Sequence, residues 1–492
     1  MGISRRNMLR ATGLGVGCAA LGVGAGKGLS ADSPGAQPDW GALRNRLAGG
    51  LSLPSDSDYA TAKLAYNTAF DDRRPAAVAR CATASDVQAC VEAAARSKLP
   101  IAARSGGHSY AGYSTPDGGL IADLGSMTSV EVGPDGTAVI GAGARLIDVY
   151  TGLANAGRCL PGGSCPTVGI AGLTLGGGLG VLTGKYGLTC DTLISAQIVT
   201  ADGVLRTASA ESEPDLFWAL RGGGGGNFGI VTSFTFRTAE APRLVVFQAQ
   251  FPVGSLTEVL AAWQSFTASA PDEFWSTLGT SAGSPPTCRI NGCHVGTEAD
   301  ANALLDKLIA ATGTRPTARY SIAMDYLQAM RYFAGCTNYS AAQCRPSWND
   351  TGVLPRESFT AGSRVLTTAL PDPSRLTALL TDREGLDVLF DSLTGAPARI
   401  AATDTAFPHR GALATAQIYV GAATPQARAA VAEVRTGLGD LVGNTAYVNY
   451  IEADLPEWAT AYYGANAPRL RRIAQRYDPD AVFTFAQSAT KI

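Results

Sequence analysis

The stretch that decides the fold is Arg104-Ser105-Gly106-Gly107-His108-Ser109-Tyr110, which continues directly from the apolar run Leu99–Ala103. A strand that runs into paired glycines is typical of a loop whose backbone N–H groups approach an anionic ligand. Two more glycine-rich loops follow, at Gly172–Gly178 and Gly222–Gly229. Residues 101–231 hold 29 of the 58 glycines, so the glycine content is concentrated and indicates close backbone approach to a ligand.

The length and composition of the chain limit the classes of protein to which it can belong. The chain has 492 residues, which at roughly 100–200 residues per domain predicts more than one domain. The net charge of −2 argues against a nucleic-acid partner, which requires a basic surface. Hydrophobic residues make up 46% of the chain, which excludes a largely disordered protein. We therefore expect a small-molecule partner, and the oligomeric state is not readable.

The N-terminal residues predict an export signal. Ser4-Arg5-Arg6 precedes an apolar run from Ala11 to Gly26, which resembles a twin-arginine signal of bacteria; an ordinary secretory signal with a chance arginine pair is the alternative. The run is too short to span a bilayer, and no later segment reaches the roughly 18 residues needed. Residues 1–36 are thus assigned to a signal, and we expect a secreted protein without stable membrane insertion.

Mixed strands and helices follow, which predicts an α+β fold. Ala84–Ser97 has helical spacing, with Ser85 as its expected N-cap, and Ile230–Phe236 alternates as a strand does. After Pro242 glycine becomes sparse and longer helices are expected, with strand runs in Arg399–Val420. The predicted parts are residues 37–241 for cofactor binding, 242–445 for substrate binding, and 446–492 as a segment that returns to the first part.

Two residues in the glycine-rich region carry potential chemistry. His108 could be a base, a nucleophile or a metal ligand, although a histidine taken alone usually has only a structural role. The three histidines are far apart and no ligand cluster accompanies them, so no metal site is predicted. Cys165 lies in Gly163-Ser164-Cys165-Pro166, where a reactive thiolate and a disulfide are both open interpretations.

Five stretches in fixed order resolve these alternatives: Arg104–Tyr110, Cys165–Gly169, Gly222–Val231, Tyr447–Tyr450 and Tyr462–Asn466. Together they resemble the berberine bridge enzyme-like flavin oxidases of the vanillyl-alcohol oxidase superfamily, including aclacinomycin oxidoreductase and oligosaccharide oxidases. The resemblance implies a two-part PCMH-type FAD-binding domain. It also implies a substrate domain built on an antiparallel sheet with covering helices.

The resemblance further implies an FAD attached twice. His108 matches the histidine that bonds to the flavin 8α-methyl carbon, and Cys165 matches the cysteine that bonds to flavin C6. Val168 matches a small residue that favours reaction with O₂. The other residues expected to contact the cofactor are Arg104, Ser105, Gly106, Gly107, Ser109, Gly169, Ile170, Gly172, Leu173, Gly226, Val231 and Asn449.

Tyr450 matches the catalytic tyrosine of the family, and Tyr447 is a second candidate. The implied reaction removes the proton of a substrate hydroxyl with Tyr450, passes a hydride to flavin N5, and forms hydrogen peroxide from O₂. Because a free tyrosine has a pKa of about 10, a basic role requires a nearby cation or hydrogen bonds to the phenolate. His409 and Arg410 could line the substrate side, or serve only the structure.

The substrate is left open between an oligosaccharide and a glycosylated or other secondary metabolite. A dehydrogenase that uses another electron acceptor, and a flavoprotein that only binds, remain alternatives. Eight cysteines besides Cys18 and Cys165 allow up to four disulfides in an exported protein. The local pairs Cys336–Cys344 and Cys288–Cys293 are the first ones expected.

Overall fold

The computed structural model describes residues 38–348, 350 and 352–492. The export signal predicted for residues 1–36 lies outside them. In this part of the chain, no helix is long and apolar enough to cross a membrane. The first half contains the strands β1 (Leu51–Ser52), β2 (Ala77–Arg80), β3 (Ile101–Arg104), β4 (Leu120–Asp123), β5 (Val130–Val132), β6 (Thr137–Gly141), β7 (Arg158–Cys159), β8 (Leu193–Val199), β9 (Leu205–Ser209), β10 (Ile230–Arg237) and β11 (Ala239–Glu240).

The helices of the same half cover and connect two larger sheets, and β7 and β11 form a separate two-stranded sheet. One sheet has the order β1-β2-β4-β3, in which β4 runs parallel to β2 and β3, and the other is antiparallel with the order β5-β6-β10-β8-β9. One hydrophobic core joins both sheets. The helices are α1 (Trp40–Arg46), α2 (Tyr59–Ala62), α3 (Ala84–Ser97), α4 (Leu146–Asn155), α5 (Ile170–Leu175), α6 (Thr183–Tyr186) and α7 (Pro214–Leu220).

Helix α3 has the predicted bounds, but its predicted cap is wrong. Thr83 is the N-cap, since its hydroxyl accepts the N–H of Asp86 and the Asp86 carboxylate accepts the N–H of Thr83. This reciprocal capping box satisfies two backbone donors, and it places Ser85 inside the first turn. The helix then ends at Lys98, whose φ is +51°.

The second half is built on a seven-stranded antiparallel sheet, as the resemblance implied. Its order is β15-β12-β14-β13-β17-β18-β16. One face carries an apolar core covered by helices. On the other face, Leu244, Val246, Trp275 and Cys293 join the core of the first half, and the rest of that face carries mostly polar side chains. The strands are β12 (Leu244–Gln250), β13 (Phe274–Ser281), β14 (Thr287–Val295), β15 (Ala318–Met324), β16 (Thr360–Leu366), β17 (Leu386–Ser392) and β18 (Ala414–Val420).

The remaining helices are α8 (Leu256–Thr267), α9 (Glu298–Ala311), α10 (Tyr326–Phe333), α11 (Pro373–Leu380), α12 (Pro425–Val442), α13 (Trp458–Tyr463) and α14 (Ala467–Tyr477). The α14 helix packs on α7 of the first half. Hydrogen bonds make the same connection, because the Tyr463 hydroxyl donates to Gly223 O at 3.0 Å and the Ala489 N–H donates to Asn227 Oδ1 at 2.8 Å.

Two sequence expectations in the second half are confirmed only in part. Strand structure in Arg399–Val420 is confined to β18, because residues before it bond to the first half: the N–H of Ala406 donates to Trp218 O and that of Phe407 to Arg221 O. Cys336 and Cys344 form the expected disulfide, but Cys288 and Cys293 are both free. An odd separation of five residues along β14 turns their side chains to opposite faces of the sheet.

Candidate active site and cofactor cavity

A cavity of about 410 Å³ lies between the glycine-rich loops of the first half and the C-terminal segment. Residues 483–487 form part of its wall. Nearly all of the predicted site residues meet there although they are far apart in the chain. Those that line the cavity are Ser105, Gly106, Gly107, His108, Ser109, Cys165, Val168, Gly169, Gly172, Leu173, Gly226, Val231, Tyr447, Asn449 and Tyr450.

Two predicted cofactor contacts do not line the cavity. Arg104 is 4% exposed because its guanidinium forms an ion pair with Asp123 and donates to the carbonyl oxygens of Ala62 and Leu64. Its side chain therefore anchors the start of the His108 loop. Ile170 is fully buried at the start of α5, in the hydrophobic core.

The loops approach each other so closely that only glycine fits at their crossing. A Cβ atom on Gly106 would lie 2.2 Å from the backbone nitrogen of Gly169, and one on Gly169 would lie 2.3 Å from the nitrogen of Gly106. In contrast, a Cβ atom on Gly172 or Gly226 would meet no protein atom within 4 Å. The first pair thus joins the loops, while the second pair borders the space left for a ligand.

The cavity wall also contains buried polar atoms that lack a partner. Tyr113 Oη, Ser114 Oγ and Gln487 Oε1 make no hydrogen bond to the protein, although their residues line the cavity. Such atoms carry a free-energy cost unless a ligand or water satisfies them. A glycine-lined cavity with unsatisfied polar groups fits a large polar cofactor such as a flavin dinucleotide.

His108 and Cys165, the two predicted attachment residues, share one neighbour. The Thr167 hydroxyl oxygen lies 2.8 Å from His108 Nε2 and 3.6 Å from Cys165 Sγ. Thr167 is only 1% exposed, so its side chain is held by packing. On its other side the imidazole ring stacks on Tyr66, with ring centroids 3.9 Å apart. Sequence reasoning missed Thr167, for which its place two residues after Cys165 was the only signal.

Tyr450 lies at the cavity with its ring stacked on Tyr110, at a centroid distance of 5.5 Å and an interplanar angle of 9°. The Gln417 side chain on β18 donates a hydrogen bond of 2.5 Å to the Tyr110 hydroxyl. The tyrosine pair therefore lies between the glycine loops and the polar face of the seven-stranded sheet. In its phenolate form, a tyrosine in this place can accept a proton from a substrate bound against that face.

The hydroxyl oxygen of Tyr447 is occupied by hydrogen bonds to the protein. It accepts the N–H of Gly178 and the side-chain amide of Asn449, each at 2.9 Å. Burial raises the pKa of Tyr447 above its ordinary value of 10.0. Asn449 also donates to Leu173 O at 2.9 Å. These contacts make Tyr447 suited to holding the glycine-rich loop, and they leave Tyr450 as the better candidate base.

A buried ion pair holds the segment that carries both tyrosines. Arg435 on α12 donates to Glu452 Oε2 at 2.5 Å, and Glu452 Oε1 accepts the N–H of Ser363 at 2.8 Å. Ser363 Oγ accepts the N–H of Tyr447 at 3.1 Å. Burial raises the pKa of Glu452, with the Arg435 charge opposing that rise. The sheet and the tyrosine segment are therefore fixed to each other through these contacts.

His409 and Arg410 do not line the cavity and have structural partners instead. The His409 ring lies 2.9 Å from Ala446 O, and burial lowers the pKa of this histidine to about 4. Arg410 forms a bidentate ion pair with Asp191 at 2.7 and 2.8 Å, with both side chains almost completely buried. Of the two readings left open by the sequence, these contacts support the structural one.

Comparison with known proteins defines the class and then the family. A profile described as FAD binding domain matches residues 75–209, and one described as berberine and berberine like matches residues 446–489. The protein is an FAD-linked oxidoreductase. The chain belongs to the berberine bridge enzyme-like family, since it is 31% identical over 463 residues to an uncharacterized FAD-linked oxidoreductase, YgaK of Bacillus subtilis, covering 90% of this chain and 97% of that relative.

Two relatives with assigned activities extend the comparison. A chitooligosaccharide oxidase of Gibberella zeae is 30% identical, over 89% of this chain and 92% of its own. The solved structure of the glucooligosaccharide oxidase of Acremonium strictum, which carries a 6-S-cysteinyl, 8α-N1-histidyl FAD, is 27% identical. It superimposes with a TM-score of 0.81 over 91% of this chain and 98% of that chain.

Proposed function

We propose that this protein is an exported FAD oxidase that oxidises a hydroxyl-bearing carbon of a saccharide or a glycosylated metabolite. The observation that carries the proposal is Tyr450, stacked on Tyr110 between the cofactor cavity and the polar sheet face. When bound, FAD accepts a hydride from the substrate carbon and passes the electrons to O₂, which becomes hydrogen peroxide. Tyr450 takes the hydroxyl proton, so that a carbonyl remains on the substrate.

His108 and Cys165 would hold the cofactor through two covalent bonds. Thr167 supports this assignment, because one buried hydroxyl neighbours both side chains. With the Nε2–H of His108 donating to Thr167, the other ring nitrogen carries the lone pair that bonds to the flavin. Each bond would replace one hydrogen of the flavin and one of the side chain, so each attachment would release two protons and two electrons, and the two attachments together would pass four electrons to O₂. The glucooligosaccharide oxidase described above carries such a doubly linked FAD.

Two further features favour the oxidase over its alternatives. Val168, which matches the small residue that the family resemblance associates with O₂ reactivity, lies in the cavity wall. The chitooligosaccharide and glucooligosaccharide oxidases are relatives over most of the chain, and both names specify a saccharide. The predicted twin-arginine signal at Arg5-Arg6 supports the proposal of export, because such signals move folded proteins and therefore suit a chain that takes up its cofactor before secretion.

The test is a peroxide assay on the purified, flavin-loaded protein with aldoses, oligosaccharides and glycosylated polyketides. Peroxide formation with at least one saccharide supports the proposal. Bleaching of the flavin without peroxide under air would instead identify a dehydrogenase, and an unbleached flavin with every compound would identify a binding protein. For attachment, flavin absorbance that stays with the acid-precipitated wild-type protein, but not with a His108→Ala/Cys165→Ala variant, is the expected result.

A further inference from the structure

Arg289 lies on the polar face of the seven-stranded sheet, the face that Tyr450 borders. Gln417 pairs with Leu389, Leu389 with Gly279, and Gly279 with Arg289. Directly paired residues of antiparallel strands project from the same face. Arg289 therefore shares a face with Gln417, whose side chain bonds to Tyr110 beside Tyr450.

The Arg289 side chain is directed across the sheet. A Cβ atom built on Gly279 would lie 3.8 Å from both Cγ and Nε of Arg289, so the arginine lies across this glycine. The side chain of Arg289 on β14 therefore lies beside β13, and Gln417 on β18 lies two strands further along the same face. The absence of a side chain at Gly279 leaves room for the arginine there.

The guanidinium is buried without a direct counter-charge. Arg289 is 8% exposed, and its Nε has no hydrogen-bond partner. Within the described ranges, it makes no ion pair. Burial lowers the pKa of Arg289 to about 10, so the group stays protonated at neutral pH. Asp387, which accepts a hydrogen bond from Ser281, raises the pKa of Arg289 electrostatically, as do Tyr320 and Tyr332, whose hydroxyls bond to each other.

The adjacent row of the same face contains three more unsatisfied groups. Asn291 pairs with Thr277, Thr277 with Asp391, and Asp391 with Thr415. Asn291 Oδ1 and the hydroxyl oxygens of Thr277 and Thr415 are buried and have no hydrogen-bond partner. Unsatisfied buried polar groups are rare in proteins, and a set of them on one face indicates a polar ligand that binds there.

We propose that Arg289 binds a carboxylate of the substrate and that the preferred substrates are acidic saccharides containing a uronic acid. A carboxylate matches the planar guanidinium with two parallel hydrogen bonds, and the amide and hydroxyls of the adjacent row match sugar hydroxyls. This inference rests on the proposed oxidase function, since it assigns the substrate of the same site. It adds a charge requirement that the tyrosine pair alone does not impose.

The experiment compares digalacturonic acid with neutral digalactose on the flavin-loaded protein. Binding is followed through the visible absorption of the flavin, and turnover through peroxide, so that affinity and reaction are measured separately. The variants are Arg289→Gln and Arg289→Lys. Arg319→Gln is the matched control. It removes an exposed arginine of β15 that pairs with Asp306 on helix α9, and because Arg319 is in register with Ala249 it projects from the opposite face of the sheet.

We expect wild-type protein to bind digalacturonic acid at least about tenfold more tightly than digalactose, because one charge-assisted hydrogen bond contributes a gain in affinity of that size. Arg289→Gln should abolish this preference, Arg289→Lys should retain part of it, and Arg319→Gln should keep all of it. Equal binding of both sugars by wild-type protein overturns the inference without any variant. Binding of a phosphorylated saccharide without binding of the uronate also overturns the inference.

The two proposals fail separately. Oxidation of neutral saccharides without a preference for the acid leaves the oxidase proposal intact and removes the role of Arg289. Binding of digalacturonic acid that depends on Arg289, without oxidation of any saccharide, supports the carboxylate site and refutes the oxidase.

Discussion

Replacement of Thr167 by valine tests the geometry of cofactor attachment. Valine keeps the volume and branching of threonine but replaces the hydroxyl by a methyl group. The change removes the 2.8 Å contact to His108 Nε2 and the 3.6 Å contact to Cys165 Sγ, at a residue that is 1% exposed. We expect both attachment bonds to form more slowly, since the Thr167 hydroxyl that contacts both side chains is removed.

The size of the effect follows from the lost hydrogen bond. A partly buried ring nitrogen left without a partner costs about 1–3 kcal/mol, which corresponds to roughly 5- to 150-fold in a rate or equilibrium constant. His108 also stacks on Tyr66, and this contact survives the substitution. The stacking limits how far the ring can turn, so we expect slower attachment and not its complete loss.

The assay adds FAD to the apoprotein and follows the appearance of acid-stable flavin fluorescence on a denaturing gel. A Cys165→Ala background isolates the His108 bond, and a His108→Ala background isolates the Cys165 bond. Thr167→Ser is the matched control, because it keeps the hydroxyl and should restore most of the rate. If Thr167→Val forms acid-stable flavin at the parental rate in both backgrounds, the proposed role of Thr167 is refuted.

Three other outcomes are expected. Tyr450→Phe should lower kcat by about 10²- to 10⁴-fold while the flavin stays acid-stable, and unchanged kcat would exclude Tyr450 as the base. Gly172→Val should weaken FAD uptake because its side chain enters the cavity, whereas Gly411→Val, at a glycine that also has no protein atom near its Cβ position, should bind FAD normally in a titration of the apoprotein. Burial lowers the pKa of His409 to about 4, so as pH falls the unfolded chain takes up a proton on this histidine before the folded chain does. The free energy of unfolding should therefore decrease between pH 6.5 and pH 4 by about 1.4 kcal/mol per pH unit. In chemical denaturation, His409→Gln should remove this contribution to the pH dependence.

The cofactor loops were predictable from sequence because glycine is required where two backbones approach closely, and it is visible in the sequence. Gly106 and Gly169 are forced by a backbone contact that no other residue permits, and such positions remain visible as glycine-rich motifs. Tyr450 was found through the resemblance, since a tyrosine in isolation is indistinguishable from a packed aromatic residue. Arg104 was assigned to the cofactor by its place in the motif, yet its side chain pairs with Asp123 on the adjacent strand β4.

The substrate side could not be read from the sequence. Which residues share a face with Tyr450 depends on the register of strands that are far apart in the chain, as for Arg289 on β14 and Gln417 on β18. The contact between Thr167 and His108 could not be predicted for the same reason, because the two residues are 59 positions apart in the chain. Local sequence patterns predict strands and turns, but side-chain contacts across a sheet or between loops depend on tertiary packing.

The wall formed by residues 483–487 has a consequence for the order of events in the cell. These residues leave the ribosome after every other part of the cavity, long after the loop of His108. The compartment around the flavin is therefore incomplete until residues 483–487 have been made and have packed against the glycine-rich loops. Expression with limited riboflavin should accumulate finished but unloaded chains that accept FAD when it is supplied later.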